Sequence, residues 1–249
     1  MTALPARAGE IWVYLSASPL FWLTAVLAAY LAAERIADLF HRHPLANTVA
    51  MAAGALSVVL LATHTPYQTF FDGAQFVHFL LGPATVALAI PLYRNLGRVH
   101  ATLVPMCSAL FVGSVTAIAS SVLVGGLLGL PHEVLASLGP KSVTTPIAMS
   151  LAKANGGIPA LTAVFVVLTG IFGGVAVTPL MNALRIGDFA ARGFAAGLAA
   201  HGIGTARAFQ VDALAGAFAG IALGLNGAMT AVVTPIVLPP LLHAFGTRP

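Results

Sequence analysis

Long apolar runs alternate with short polar stretches along most of the 249-residue chain. Five runs are uninterrupted and rich in Leu, Val, Ala and Gly. Each is long enough for an α-helix to cross the hydrocarbon core of a bilayer, which takes about 17–25 residues. They are residues 20–40, 46–63, 101–130, 159–184 and 213–242. The pattern predicts an all-α polytopic membrane protein with about five full transmembrane helices, forming one transmembrane domain over residues 1–249.

Three further segments, residues 69–93, 132–155 and 189–210, carry helix-breaking and polar residues in their middles. An unpaired amide in hydrocarbon costs several kcal/mol, so a break at membrane depth survives only where protein or a watery cavity surrounds it. We therefore expect the three broken or re-entrant segments to line one shared cavity. Their middles are Gly82-Pro83-Ala84-Thr85, Gly139-Pro140-Lys141-Ser142-Val143-Thr144-Thr145-Pro146 and His201-Gly202-Ile203-Gly204-Thr205-Ala206-Arg207.

The first two breaks resemble each other. Residues 82–86 align with residues 139–143 at a spacing of 57 residues, and each break follows a full span. The third break shares only its Gly and Thr content and its place after a span. This indicates an internal repeat of one whole span followed by one broken segment. The alternative is chance similarity among Gly-rich helices.

Composition and charge narrow the class. Apolar residues make up 59% of the chain and charged residues only 7%, whereas about a quarter of the residues in a soluble domain are charged. The 11 basic residues exceed the 7 acidic ones, but they are scattered over short loops, so nucleic acid is not an expected partner. Cys107 is the only cysteine, which excludes an internal disulfide.

The basic residues also predict topology, because Lys and Arg collect in short cytoplasmic loops. Arg185 and Arg192 fall on the same side as Arg94 and Arg98 only if segment 132–155 enters and leaves the bilayer at one face. We therefore expect a re-entrant hairpin there. Its two arms, about eight and ten residues long, would each span about 12–15 Å and reach mid-membrane.

Lys141 lies at the tip of that predicted hairpin, beside Ser142, Thr144 and Thr145. An ammonium, hydroxyls and free amides at a half-helix N-terminus near Pro146 would receive a carboxylate. The alternatives are that Lys141 pairs with Glu133 or extends to one membrane face.

The third break offers a second cation. Arg207 could bind a carboxylate through two parallel hydrogen bonds, or lie at a membrane face with Asp212 as its partner. His201 could donate to a solute or take part in proton coupling, or simply pack against a backbone carbonyl.

The remaining polar wall would come from Thr85 and the amides around Gly82 and Pro83, unless Pro83 merely kinks a span. Asn226 is a lone amide in the last span, where hydrogen bonding between helices is the commoner use. Three glycine pairs at four-residue spacing indicate close helix contacts. The pairs are Gly170 with Gly174, Gly193 with Gly197, and Gly220 with Gly224.

No enzyme, cofactor or metal site is predicted. The acidic residues sit at the ends of predicted spans rather than in pairs within them, and neither a His-Glu-x-x-His helix nor a P-loop occurs. His41 and His43 lie in a loop with Arg42 between them, which is typical of a solvated connection.

Three stretches resemble the signature segments of the LrgB/CidB family of bacterial membrane proteins, whose plant relative is the plastidic glycolate/glycerate translocator. They are residues 80–89 (LLGPATVALA), 140–149 (PKSVTTPIAM) and 201–208 (HGIGTARA). Similarity extends from about residue 46 to the last span and is weaker over residues 1–45.

This resemblance implies a multi-pass protein of the bacterial inner membrane that works with a smaller LrgA/CidA-type subunit, as a homo- or hetero-oligomer. It implies transport of small monocarboxylates such as pyruvate, glycolate or glycerate. The alternative is a holin-like or antiholin-like regulator of murein hydrolase activity and lysis. The expected substrate site comprises Gly82, Pro83, Thr85, Lys141, Ser142, Thr144, Thr145, His201, Gly202, Gly204, Thr205 and Arg207.

Overall fold

The computed structural model describes residues 18–80, 83, 86, 87 and 89–245. Regular structure in these ranges is entirely α-helical, and 4 of the helices are long and apolar enough to cross a membrane. The predicted all-α membrane class is therefore confirmed. The chain divides into two compact units, Met1–Ala87 and Leu88–Pro249.

The first unit contains α1 (Pro19–Leu39), α2 (Thr48–Ala62) and α3 (Tyr67–Phe79). The fully buried Trp22 of α1 packs edge-on against Phe70 of α3, with ring centroids 5.6 Å apart. Arg42 follows α1 and pairs with Asp38 at 2.8 Å and Glu34 at 3.3 Å. At 15 residues, α2 is shorter than the other predicted spans.

The second unit is built around three long helices joined by shorter ones. Two of the long helices, α6 and α11, are parallel. Met106 packs with Phe218 near one end, and Val122 packs with Val233 towards the other. The helices are α4 (Ala89–Arg94), α5 (Leu96–Ala101), α6 (Leu103–Leu127), α7 (His132–Leu138), α8 (Thr145–Ala154), α9 (Pro159–Ala183), α10 (Phe189–Val211) and α11 (Ala213–Ala244).

Helices α7 and α8 form a hairpin over residues 132–154, named hairpin 1. Its two ends lie side by side, because the ring nitrogen Nε2 of His132 is 3.3 Å from the carbonyl oxygen of Asn155. The Ser137 hydroxyl also accepts a hydrogen bond from the Ile158 amide at 2.8 Å. The chain therefore enters and leaves hairpin 1 at one end of the unit, so the predicted hairpin is present.

Helix α10 also reverses direction, at Ala200 and His201. His201 has φ 41° and ψ −134°, far from helical values, and positive φ is uncommon for any residue other than glycine. This breaks the helix into arms 189–199 and 202–211. A Cβ on Gly204 in the second arm would collide with the carbonyl oxygen of Ala196 in the first, so the arms lie against each other.

The packing of α10 on α11 confirms the reversal. A Cβ on Gly193 would collide with the carbonyl of Ala215, and one on Gly197 with that of Ala219. In a straight helix Gly193 would lie about 27 Å from the end of α10, at 1.5 Å per residue, and could not touch the start of α11. Residues 189–211 are thus a second re-entrant element, named hairpin 2.

The two hairpins enter from opposite ends of the unit. Helix α9 is antiparallel to the first arm of hairpin 2, since Arg192 bonds the Thr178 carbonyl while His201 bonds that of Val166. Helices α6 and α9 each have 25 residues, and each is followed by a hairpin of the same length beginning 57 residues apart. This is an inverted repeat of one span and one hairpin, which strengthens the predicted relation between the second and third breaks.

The topology predicted from charge agrees with this arrangement. Arg98 reaches Asp188 at 3.9 Å, which places the start of α6 and the start of hairpin 2 at the same end. Arg185 lies in the loop just before Asp188. We call the end that carries Arg98, Arg185 and Arg192 the arginine-rich face.

Impermeant labelling will test the reversal of α10. In a Cys107→Ser background, we expect Gly187→Cys and Val211→Cys to react with an impermeant maleimide from the same side of oriented vesicles, because both flank hairpin 2. Glu133→Cys, at the base of hairpin 1, should react from the other side. Labelling of the first two from opposite sides would mean that α10 crosses the membrane.

A matched glycine pair will test the close packing of α10 on α11. We expect Gly197→Ala to destabilise the protein by about 1–3 kcal/mol, because the new methyl group meets the Ala219 carbonyl. Gly224→Ala meets open space and should leave stability unchanged or raise it. Thermal unfolding in detergent measures both. Equal transition temperatures would contradict the packing.

Candidate functional site

The tips of the two hairpins meet at Asn226 of α11. Its side-chain amide nitrogen donates to the carbonyl of Ser142 at 3.1 Å and to that of Leu198 at 3.0 Å. Its oxygen accepts from the hydroxyls of Ser114 at 2.8 Å and Thr230 at 3.2 Å. The expected role of Asn226 in hydrogen bonding between helices is confirmed, and the bonds bring two of the three predicted breaks together.

A cavity of about 760 Å³ opens beside these tips, between α6, α9 and the first arm of hairpin 2. Most of its wall is apolar, contributed by residues such as Phe165, Phe172 and Leu198. Its polar wall residues are Lys141 and Ser142 from hairpin 1, Thr116 from α6 and Thr169 from α9. Ala199 and Ala200 of hairpin 2 line the same space just before the third break, but none of residues 201–207, all of them described, is on its wall.

Among the described residues on the wall of this cavity, Lys141 alone is charged. It is partly buried at the tip of hairpin 1. Among the residues that the structure describes, no acidic side chain forms an ion pair with it, and the alternative partner Glu133 is exposed. An ammonium in an apolar wall attracts a small anion.

The second arm of hairpin 1 adds a positive helix end. Helix α8 begins at Thr145, and its N-cap Thr144 makes no side-chain capping bond. The first amides of a helix have no partner within it, and they carry the positive end of the helix dipole. The tip of hairpin 1 therefore combines an ammonium with a helix N-terminus, an arrangement suited to a carboxylate.

Thr116 and Thr169 were not predicted as site residues. Each is one of several hydroxyl residues in a long apolar helix, and nothing in the sequence distinguishes it from the others. The inverted repeat does not single them out either, because Thr116 and Thr169 are 53 residues apart whereas α6 and α9 begin 56 residues apart. These threonines can bind a hydroxyl or keto oxygen of a ligand held by Lys141.

A second cavity of about 440 Å³ adjoins the first. The two share Gly113, Ala195, Leu198 and Ala199 as wall residues, and the second extends to Thr102 and Asp188 near the arginine-rich face. The Leu198 side chain fills the space beside Gly113, where a Cβ would lie 2.7 Å from it. The two cavities therefore adjoin at Gly113 and Leu198, between that face and the hairpin tips.

His201 supports the turn of hairpin 2. Its Nε2 donates to the Val166 carbonyl at 2.8 Å, and the missing side chain of Gly170 makes room for the ring. Thr205 donates to the His201 carbonyl at 2.8 Å, while Gly204 packs against the first arm. Of the two roles considered for His201, the structure shows packing against a backbone carbonyl.

Arg207 lies apart from Lys141. The reversal of α10 returns Arg207 towards the base of hairpin 2, where it bonds Gln210 at 3.4 Å. There it lines a separate cavity of about 20 Å³ together with Arg192. Lys141 and Arg207 therefore line different cavities, and the expectation that they share one site is not met.

The other expected site residues divide into three groups. Thr144 and Thr145 flank the start of α8, and Gly202 is exposed just after the turn of hairpin 2. Pro83 is exposed in the first unit. Gly82 and Thr85 lie outside the described residues.

These features define a class of protein. It is a helical membrane protein with two opposed hairpins, and the tips of the hairpins meet beside a largely apolar cavity that is lined by the cationic side chain of Lys141. Comparison with known proteins gives the family. The LrgB-like family matches residues 26–239, and the chain belongs to that family.

Curated relatives are similar over nearly their whole length. The uncharacterized protein YwbG of Bacillus subtilis is 36% identical over 219 residues, which cover 87% of this chain and 96% of the relative. The holin-like protein CidB of Staphylococcus epidermidis is 30% identical, covering 93% and 98%. The antiholin-like protein LrgB of Bacillus mycoides is 29% identical, covering 89% and 96%. No solved structure matches the chain.

Proposed function

We propose that this chain is a secondary carrier of small monocarboxylates of the 2-hydroxy or 2-oxo type, such as glycolate, glycerate or pyruvate. The observation that carries the proposal is Lys141, a cation without an acidic partner among the described residues, on the wall of a cavity of about 760 Å³. Cavities of roughly 300–1,000 Å³ are typical of small-molecule sites.

Charge and hydroxyl placement support this solute class. The ammonium of Lys141 and the N-terminus of α8 would compensate one carboxylate. Ser142, Thr116 and Thr169 would bind the neighbouring hydroxyl or keto oxygen. The apolar remainder of the wall disfavours a second charge on the solute, because an unpaired charge in such surroundings is costly.

The opposed hairpins support alternating access. In carriers built from inverted repeats, one half moves against the other around a central site. Here the second cavity would admit solute from the arginine-rich face, which the positive-inside rule makes cytoplasmic. We further propose residence in the bacterial inner membrane and assembly with a smaller subunit of the LrgA/CidA type.

The names of two relatives favour a second candidate function. One is called holin-like and another antiholin-like, which suggests a membrane protein that controls lysis. A pore that releases solutes without a dedicated site would account for that role. The intact spans α6, α9 and α11 are apolar along their length rather than striped with polar residues, which favours the carrier.

Substitution of Lys141 will test the carrier. We expect Lys141→Ala to raise the KM for glycolate uptake into proteoliposomes about tenfold to a hundredfold, since loss of a charged hydrogen bond costs about 1.5–3 kcal/mol. Lys153→Ala is the matched control, because Lys153 lies exposed on the same hairpin. Unchanged uptake by Lys141→Ala would remove this site from the mechanism.

Saturation will separate the two candidate functions. The carrier should show saturable uptake and counterflow of glycolate, glycerate or pyruvate, and should retain a trapped dye larger than the solute. We expect this in the chain alone or together with the small subunit. Release of the dye at a rate that rises linearly with the dye concentration, without saturable solute uptake, would favour a lytic pore instead.

A further inference from the structure

Each hairpin leaves a backbone carbonyl without a helical partner at its tip. In a continuous α10, the Leu198 carbonyl would accept from the Gly202 amide, but the break at Ala200 and His201 removes that bond. Ser142 lies between α7 and α8 and belongs to neither helix. A buried carbonyl without a donor costs free energy, so both need a replacement.

Asn226 supplies both replacements with one side chain. A primary amide has two N–H donors, and these go to the Ser142 and Leu198 carbonyls. The orientation of the amide follows from chemistry, because carbonyl oxygens only accept. The side chain is 1% exposed, and the Ser114 and Thr230 hydroxyls hold its oxygen from α6 and α11.

We infer that Asn226 is a positioning residue that holds the two hairpin tips in register around the solute cavity. The inference rests on the proposed function and extends it to a residue that does not line the cavity. Ser142 adjoins Lys141, and Leu198 lies at the junction of the two cavities. One amide therefore sets the position of Lys141 relative to Leu198, which lines both cavities.

The nitrogen and the oxygen of the Asn226 amide have different partners, which allows a matched test. Asn226→Leu has a similar size and removes both donors, whereas Asn226→Asp retains at most one. Ser114→Ala and Thr230→Ala each remove one bond to the amide oxygen and leave both tip carbonyls bonded. We expect Asn226→Leu to raise the KM for glycolate about tenfold with little change in maximal rate. The two alanine variants should stay within about twofold of the unaltered protein.

A second measurement reports the tips without relying on transport. Ser142 and Ala199 line the same cavity, so Ser142→Cys with Ala199→Cys, in a Cys107→Ser background, should cross-link with a short bifunctional thiol reagent. We expect Asn226→Leu to reduce the cross-linking yield severalfold and Ser114→Ala to leave it unchanged. If Asn226→Leu does not give a monodisperse protein, Asn226→Asp carries the same comparison.

The outcomes separate cleanly. Cross-linking and KM unchanged in the Asn226 variants would overturn the inference, as would equal damage from Ser114→Ala, which would make Asn226 a general packing residue. Cross-linking that depends on Asn226 in a protein without saturable glycolate uptake would sustain the tie between the tips and reject the carrier function.

Discussion

The second unit depends on satisfying backbone hydrogen bonds where helices stop inside a low-dielectric interior. Hairpins that end at membrane depth leave amides and carbonyls that hydrocarbon cannot bond. Here the side chain of Asn226 donates a hydrogen bond to one carbonyl from each hairpin. His201 donates to a carbonyl of α9 and so attaches the turn of hairpin 2 to that helix. The first amides of α8 also have no partner within their own helix.

Close helix packing brings the tip of hairpin 2 within hydrogen-bonding distance of Asn226. Glycines 193 and 197 let the first arm of hairpin 2 touch the backbone of α11, and Gly170 admits the imidazole of His201. Larger residues would hold the hairpin away from α11 and move the Leu198 carbonyl out of reach of Asn226. The small residues therefore set the distance between hairpin 2 and α11. At that distance the buried amide of Asn226 can donate to the Leu198 carbonyl.

The sequence predicted some of this and not the rest, for physical reasons. Gly139-Pro140 predicted a break in the helix. The placement of Arg185 and Arg192 predicted that hairpin 1 leaves the membrane at the face where it enters. His201-Gly202 announced a break too, but a kink and a reversal have the same local sequence. Only three-dimensional contacts distinguish them, such as the packing of Gly193 on Ala215, and these contacts join residues whose pairing no local pattern reveals. The misplaced Arg207 follows from this one ambiguity, and the overlooked Thr116 and Thr169 also required three-dimensional contacts.

The inverted repeat is symmetric in backbone but not in charge, since Lys141 lies on hairpin 1 and hairpin 2 has Leu198 in the corresponding position. An ammonium that shifts through the membrane field exchanges electrical energy of about 2.3 kcal/mol per 100 mV for a full crossing. In the proposed carrier, a bound monovalent anion would cancel that charge, so the loaded protein would be electrically silent while the empty one would not. Membrane voltage would then act only on the return of the empty protein. The cell's resting potential would therefore influence the direction of net solute transport.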